Sequence, residues 1–283
     1  MGIVLGDNRY GKAETRVVRV DRSGPAHQIK DLNVSVALAG DFTAVHLTGD
    51  NSQVVPTDTQ KNTVFAFARD GIGEIEDFGL RLARHFVGEF ESVHSARVTI
   101  EEFAWHRLHD HAFQRAGAEK RNCVVTVTRE QAWVVGGVSD LVLLKTTDSE
   151  FHGYIKDRYT TLAETSDRIM ATSVDARWRF GVTQADWQRC FATVTGCLKE
   201  QFAAHHSLSL QQTLYAMGET ALQAVPEVVE VRMAMPNKHH FLVDLSPFEL
   251  TNEHEVYFAA DRPYGLIEGT VMRENAPDPG QAW

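Results

Sequence analysis

Only three cysteines, Cys123, Cys190 and Cys197, occur in the 283 residues. They are odd in number and widely spaced, with no Cys-x-x-Cys pair. That excludes a disulfide scaffold and a structural zinc ribbon, and fits a reducing compartment. No run of ~18 apolar residues is present, so no membrane-spanning helix is expected. Met1 to Tyr10 lacks the basic and apolar blocks of a signal peptide, and Gln281, Ala282 and Trp283 do not spell a Ser-Lys-Leu address, so a cytoplasmic chain is expected. Positive charge is also scarce: 28 Lys and Arg stand against 38 Asp and Glu, a formal net charge of -10 at pH 7. Broad binding to nucleic acid or to an anionic membrane needs a basic face and is disfavoured, while an anionic small ligand would need cations gathered locally. The Gly-rich phosphate loop, His-Glu-x-x-His and Gly-x-Ser-x-Gly are all missing, which removes support for common nucleotide, zinc-protease and hydrolase chemistry.

What is there is the balance of a globular protein, 43% hydrophobic and 23% charged, long enough for one large domain or two ordinary ones. The order of periodicities suggests one plan used twice. Arg16 to Asp21 and Leu32 to Leu38 alternate like paired strands, with Leu32, Val34, Val36 and Leu38 on one face. Val64, Phe67 and Ala68, then Ile75, Phe78, Leu82 and Phe86, recur at the helical period. Strand patterns return at Ala96 to Phe103, Cys123 to Thr128 and Trp133 to Leu144. The second half repeats the order. Arg168 to Phe180 reads as extended; Trp187, Phe191, Val194, Leu198 and Phe202 form a helical stripe, as do Leu210, Leu214 and Met217 up to Pro226. Val229 to Met235, Phe241 to Leu245 and Leu266 to Arg273 read as strands. Two strand-strand-helix-helix-strand-strand units, residues 1–145 and 146–283, give an α+β protein with antiparallel sheets covered by helices on one face. Open faces and edges make a closed oligomer the physical expectation.

Thr57-Asp58-Thr59-Gln60 and Ser209-Leu210-Gln211-Gln212 both read as capping boxes at helix starts, where free amides and the positive dipole end also suit an anion. Lys12, after Tyr10-Gly11, reads alone as a surface charge. Arg168 closes the polar run Glu164-Thr165-Ser166-Asp167, where a local ion pair is the default. Asn237-Lys238-His239-His240 interrupts two apolar strand patterns; a turn explains the break but not the two histidines. His106 to His111 holds three imidazoles and a carboxylate, yet its spacing matches no metal signature and reads as a solvated loop.

Taken together, Tyr10-Gly11-Lys12, the run from Thr57 to Thr63, Arg158-Tyr159-Thr160-Thr161-Leu162, Asp167-Arg168-Ile169 and the run from Pro236 to Phe241 resemble the urate oxidase (uricase) family. The likeness runs in order from about Val4 to Arg273. It implies a tandem tunnelling fold (T-fold), with two such units per chain and sheets that close into a barrel in a homotetramer whose pockets are shared between subunits. It also implies oxidation of urate by dioxygen and water to 5-hydroxyisourate and hydrogen peroxide, with no cofactor and no metal. By the resemblance, Lys12, Thr57 and His239 match the catalytic proton relay, with Asp58 beside it. Arg168 and Gln211 match the pair that clamps the purine edge, Phe151 the stacking ring, and Asn237 the side chain facing dioxygen or water. Leu162 and Leu210 would line the pocket, with the Asp58 and Leu210 amides touching the ligand. A metal-dependent pterin or purine enzyme of related fold, and a purine-binding protein without catalysis, are the competing readings.

Overall fold

Alternation in the second strand has its expected result: Leu32, Val34, Val36 and Leu38 are each 3% exposed or less. In the computed structural model, which describes residues 2–260 and 262–283, β1 (Tyr10–Asp21) pairs antiparallel with β2 (Gln28–Gly40). A five-residue helix, α1 (Thr43–Leu47), precedes α2 (Thr57–Arg69) and α3 (Ile75–Glu89). Next come β3 (Val93–Glu102), a hairpin of β4 (Trp105–His109) and β5 (Ala112–Arg115), then β6 (Lys120–Thr128) and β7 (Ala132–Lys145). The chain continues through β8 (Met170–Phe180), α4 (Trp187–Ala204), α5 (Leu210–Ala224), β9 (Val228–Asn237), β10 (His240–Leu242), β11 (Tyr257–Ala259) and β12 (Gly265–Met272).

Packing divides the chain into two compact units, one of residues up to 137 with 178–189 and 277–283, the other of 138–177 with 190–276. The halves expected from the sequence, 1–145 and 146–283, divide the chain by element order, whereas these units divide it by packing. In the first unit, β1, β2, β3, β6 and β7 are successive neighbours. Ile75, Phe78, Leu82 and Phe86 are fully buried where α3 lies on β3 and β6, each contributing about 1.5–3 kcal/mol by leaving water. Gly79 permits the close approach, because a Cβ there would lie 2.9 Å from the Val125 side chain. In the second unit, β7, β8, β9 and β12 are neighbours, and α5 packs on β9 and β12 with Met217 and Ala221 buried. Among the described residues no helix is long and apolar enough to cross a membrane.

Three local expectations change. The run His106 to His111 is part of the β4–β5 hairpin, not a loop. Phe241 to Leu245 does not form one alternating strand: β10 ends at Leu242, Phe241 is half exposed, and Leu245 instead starts a short 3-10 turn. Helix α2 starts from Pro56, whose side chain accepts nothing, so Thr57 stands inside the first turn and forms no capping box. The second box does form: Ser209 accepts from the Gln212 amide at 3.2 Å, and Gln212 Oε1 accepts from the Leu208 amide at 2.9 Å.

Candidate active site

In the first unit, the Tyr10-Gly11-Lys12 run acts as a clamp. The Tyr10 hydroxyl accepts from the Val55 amide at 2.8 Å and donates to the Val55 carbonyl at 3.0 Å, while its ring stands edge-on to Phe42 at 4.8 Å. Burial raises the Tyr10 pKa, so the hydroxyl keeps its proton for that bond. Gly11 is required because any Cβ would overlap the Val36 backbone across the ladder. Lys12 sits opposite Val36, and the register shifts between Lys12 and Thr15, a bulge that re-aims the side chains beside it. Glu14, inside the bulge, has a φ of 56° and donates its amide to Ser35 Oγ at 2.9 Å.

The clamp reaches Val55, two residues ahead of α2, whose polar run then occupies itself. Gln60, fully buried, donates to the Val55 carbonyl at 3.2 Å. Asp58 accepts from Lys61 at 2.5 Å and from Asn62 at 2.9 Å. Lys61 first, then Asn62 and the charge of Lys12, hold the Asp58 carboxyl below its usual range. Among the described residues the Thr57 hydroxyl has no hydrogen-bond partner, and the helix start has no side-chain cap. Lys12, Thr57 and Asp58 therefore form one group: a lysine near an uncapped helix terminus and a free hydroxyl.

In the second unit, the chain leaving β7 forms a short ladder. The Phe151 amide donates to the Thr165 carbonyl at 2.8 Å, and the Thr165 amide returns the bond at 3.1 Å. Arg168 lies over the Phe151 ring, 5.2 Å from its centroid. The expected ion pair of Arg168 with Asp167 or Glu164 does not form. Asp167 accepts from the Thr147 hydroxyl at 3.1 Å, and Glu164 takes the Gly153 amide at 2.9 Å and Lys156 at 3.2 Å. Arg168 Nε is buried without a partner, and burial lowers the guanidinium pKa. A half-buried cation without a counterion is costly unless an anion arrives.

Leu210 and Gln211 begin α5, Leu210 buried and Gln211 exposed. They are tied to the Phe151 ladder through Ser207, whose amide donates to the Asp148 carbonyl at 2.9 Å and whose carbonyl accepts from the Glu150 amide at 2.8 Å. Leu162 is exposed, its carbonyl held by the Tyr154 hydroxyl at 2.6 Å. Asn237 ends β9 opposite Gly265. His239 stacks on Phe241 with ring centroids 5.7 Å apart. Burial, with the positive charge of Arg168 second, lowers its pKa, so a neutral imidazole is favoured. Phe151, Arg168 and His239 are thus physically coupled, with the start of α5 anchored to the same ladder. A cavity of about 460 Å³ in this unit is lined by Ala171, Pro236, Lys238 and His240 among others, and by none of the expected ligand residues.

The model of the uricase family matches residues 8–126 and 134–268. The chain belongs to the uricase family. It is 51% identical over 283 residues to a uricase of Arthrobacter globiformis, covering 99% of this chain and 94% of that protein. It is 38% identical over 284 residues to a uricase of Dictyostelium discoideum, covering 96% and 98%. The crystal structure of the Arthrobacter globiformis uricase superposes with a TM-score of 0.97 over 98% of each chain. The architecture is accordingly the α+β tunnelling fold of uricases.

Beside the residues expected in a uricase lies a cluster that sequence reasoning passed over. Glu150 accepts from His152 at 2.6 Å and from His206 at 2.8 Å. Glu150 and His152 are two residues apart, but His206 is 56 positions from Glu150, so spacing alone carries no signal of the contact. Among the described residues no histidine, cysteine and acidic side chains form a group of three able to hold a metal ion.

Proposed function

We propose that this chain is a urate oxidase, converting urate, dioxygen and water to 5-hydroxyisourate and hydrogen peroxide without metal or flavin. The observation that carries the reading is Arg168, a half-buried guanidinium with no carboxylate partner, lying over Phe151 in a chain of the uricase family. Urate is a planar anion with hydrogen-bonding edges. A guanidinium fork can hold two of its acceptors, Gln211 can supply a donor and an acceptor to the adjacent edge, and Phe151 can fix the ring plane. Leu162 and Leu210 line the pocket, the Asp58 and Leu210 amides contact the ligand, and Asn237 faces dioxygen or water.

Direct combination of triplet dioxygen with a singlet organic molecule is slow, which is why many oxidases employ a flavin or metal. Deprotonated urate is electron-rich enough to supply the electrons itself, so the protein's part is deprotonation and placement. The Thr57 hydroxyl, a poor base alone, passes a proton onward through Lys12 to His239. Dioxygen takes two electrons from urate to give a peroxide adduct; hydrogen peroxide leaves, and water supplies the hydroxyl that replaces it. Following urate absorbance and dioxygen uptake in chelator-treated, metal-analysed protein tests this directly. Undiminished turnover is expected. Activity restored only by added metal would favour a metal enzyme, and binding without dioxygen uptake a noncatalytic protein.

The same reading includes a homotetramer whose sheets close into a barrel, with Lys12 and Thr57 of one subunit meeting Arg168, Gln211 and His239 of another. In support, Phe241, Phe248, Phe258 and Leu266 stand more than half exposed, a cost that a partner surface would relieve. If Thr57→Ala and Arg168→Ala subunits pair at random, each mixed pair has one doubly defective pocket and one intact pocket. About one quarter of wild-type sites should return. Activity no greater than the mean of the separate variants, with mixed oligomers confirmed by mass, would place the site within one chain.

A further inference from the structure

We propose that Glu150 is a positioning residue for urate, fixing the segment that carries Phe151 against the segment that leads into Leu210 and Gln211. The proposal rests on the reading of those three residues as urate contacts. One carboxylate oxygen of Glu150 holds His152 and the other holds His206. Its side chain is 15% exposed, whereas both imidazoles are more than half exposed. The carboxylate is therefore the shielded centre of the cluster, and the histidines are its outer jaws.

The backbone explains how this reaches the ligand. Residues 149 and 207 bridge in parallel, and both serines are fully buried. Ser207 Oγ accepts from Thr213 of α5 at 2.8 Å and donates to the Ser209 carbonyl at 3.0 Å, so the 207 segment is rigidly joined to the helix start. On the other side, Phe151 bridges Thr165 in an extended conformation. Successive side chains of an extended chain face opposite ways. Glu150 and its two histidine partners thus grip one side of a segment whose Phe151 ring projects from the other, and releasing the grip lets the segment twist about its axis. The stacking plane of Phe151, and its height relative to Gln211, would then vary.

The charges around the cluster set its pH behaviour. The hydrogen bond that His206 donates to Glu150 raises the His206 pKa, helped by Asp148, whose oxygen lies 3.7 Å from His206 Nδ1. The bonds from His206 and then His152 lower that of Glu150. Lys145 faces Asp148 and bonds the His205 carbonyl. Glu164, paired with Lys156, faces His152, and Arg168 lies over Phe151. Between the lowered Glu150 pKa and the raised His206 pKa the grip is ionic. As pH rises through the His206 value the imidazolium charge is lost, and only a neutral hydrogen bond remains.

The test is steady-state urate oxidation against pH by Glu150→Gln, His206→Gln, the double variant and Arg168→Ala. In Glu150→Gln, urate KM should rise about three- to fivefold with kcat changed less than about twofold, the scale of a partly exposed charge pair. The wild-type rise of KM through the His206 titration should vanish in both single variants, and the double variant should be no worse than Glu150→Gln alone. Unchanged KM and an unchanged pH profile, with only the melting temperature lowered, would make the cluster structural and overturn the proposal. His206→Gln, at an exposed site, keeps the test open should Glu150→Gln fold poorly. Weakened binding in Arg168→Ala with no effect at Glu150 would sink this proposal alone. Unchanged affinity in Arg168→Ala would sink the reading of the site beneath it.

Discussion

Lys12→Met lowers kcat for urate oxidation about 10²- to 10³-fold while KM stays within about twofold, the signature of losing a proton-transfer partner rather than a binding group. Methionine keeps the length and apolar stem of lysine. The structure gives no reason for it to disturb the fold. Lys12 is placed by its neighbours, through the Tyr10 hydroxyl on Val55 and the bare backbone of Gly11 against Val36. The β1–β2 ladder opposite Val36 remains. What disappears is the ammonium whose charge acts on Asp58. Steady-state kinetics, with circular dichroism to verify the fold, checks the outcome. A rise in KM with kcat intact would assign Lys12 to binding and remove it from the relay.

Arg168→Ala weakens urate affinity about 10- to 100-fold, since a charge-assisted hydrogen bond in a half-buried setting is worth about 1.5–3 kcal/mol. Arg168→Lys recovers little of this, because a point charge cannot reproduce the planar fork. Arg168→Ala also carries a pH signature. The positive charge of Arg168 is the second cause, after burial, of the depressed His239 pKa. Its removal lets the His239 value rise, so the acid limb of activity, where the imidazole protonates and no longer accepts, moves to higher pH. Titration with urate under anaerobic conditions measures the affinity, and unchanged affinity would show the clamp to be wrong.

Much of the fold was legible because buried faces leave a period. Leu32 to Leu38 and Val229 to Met235 alternate for the same reason that α3 repeats at three and four: every such residue meets the core. The β4–β5 hairpin left no trace because its side chains are exposed or only partly buried, so polarity never alternates along it. The Thr57 box was misread because a Ser/Thr-x-x-Gln pattern says nothing about whether the preceding residue already starts the helix, as Pro56 does. Candidate ligand residues were legible through family resemblance, not through spacing. What made Arg168 physically distinctive, its want of a counterion, appeared only when Asp167 and Glu164 were seen engaged elsewhere. The Glu150 contact joins residues from distant stretches, which no local pattern encodes.

Pro56 makes one position a place where durability and turnover pull in opposite directions. A serine or aspartate there could satisfy a first-turn amide of α2 and stabilise the helix by about 1 kcal/mol. Proline cannot, and the amides beside Thr57 remain open to an incoming anion. Gln60 bonds Val55 while Asp58 bonds Lys61 and Asn62, contacts that leave the helix end uncovered. On the proposed reading, in which the Asp58 amide contacts urate, Pro56→Ser or Pro56→Asp would trade an open ligand site for a better-capped helix.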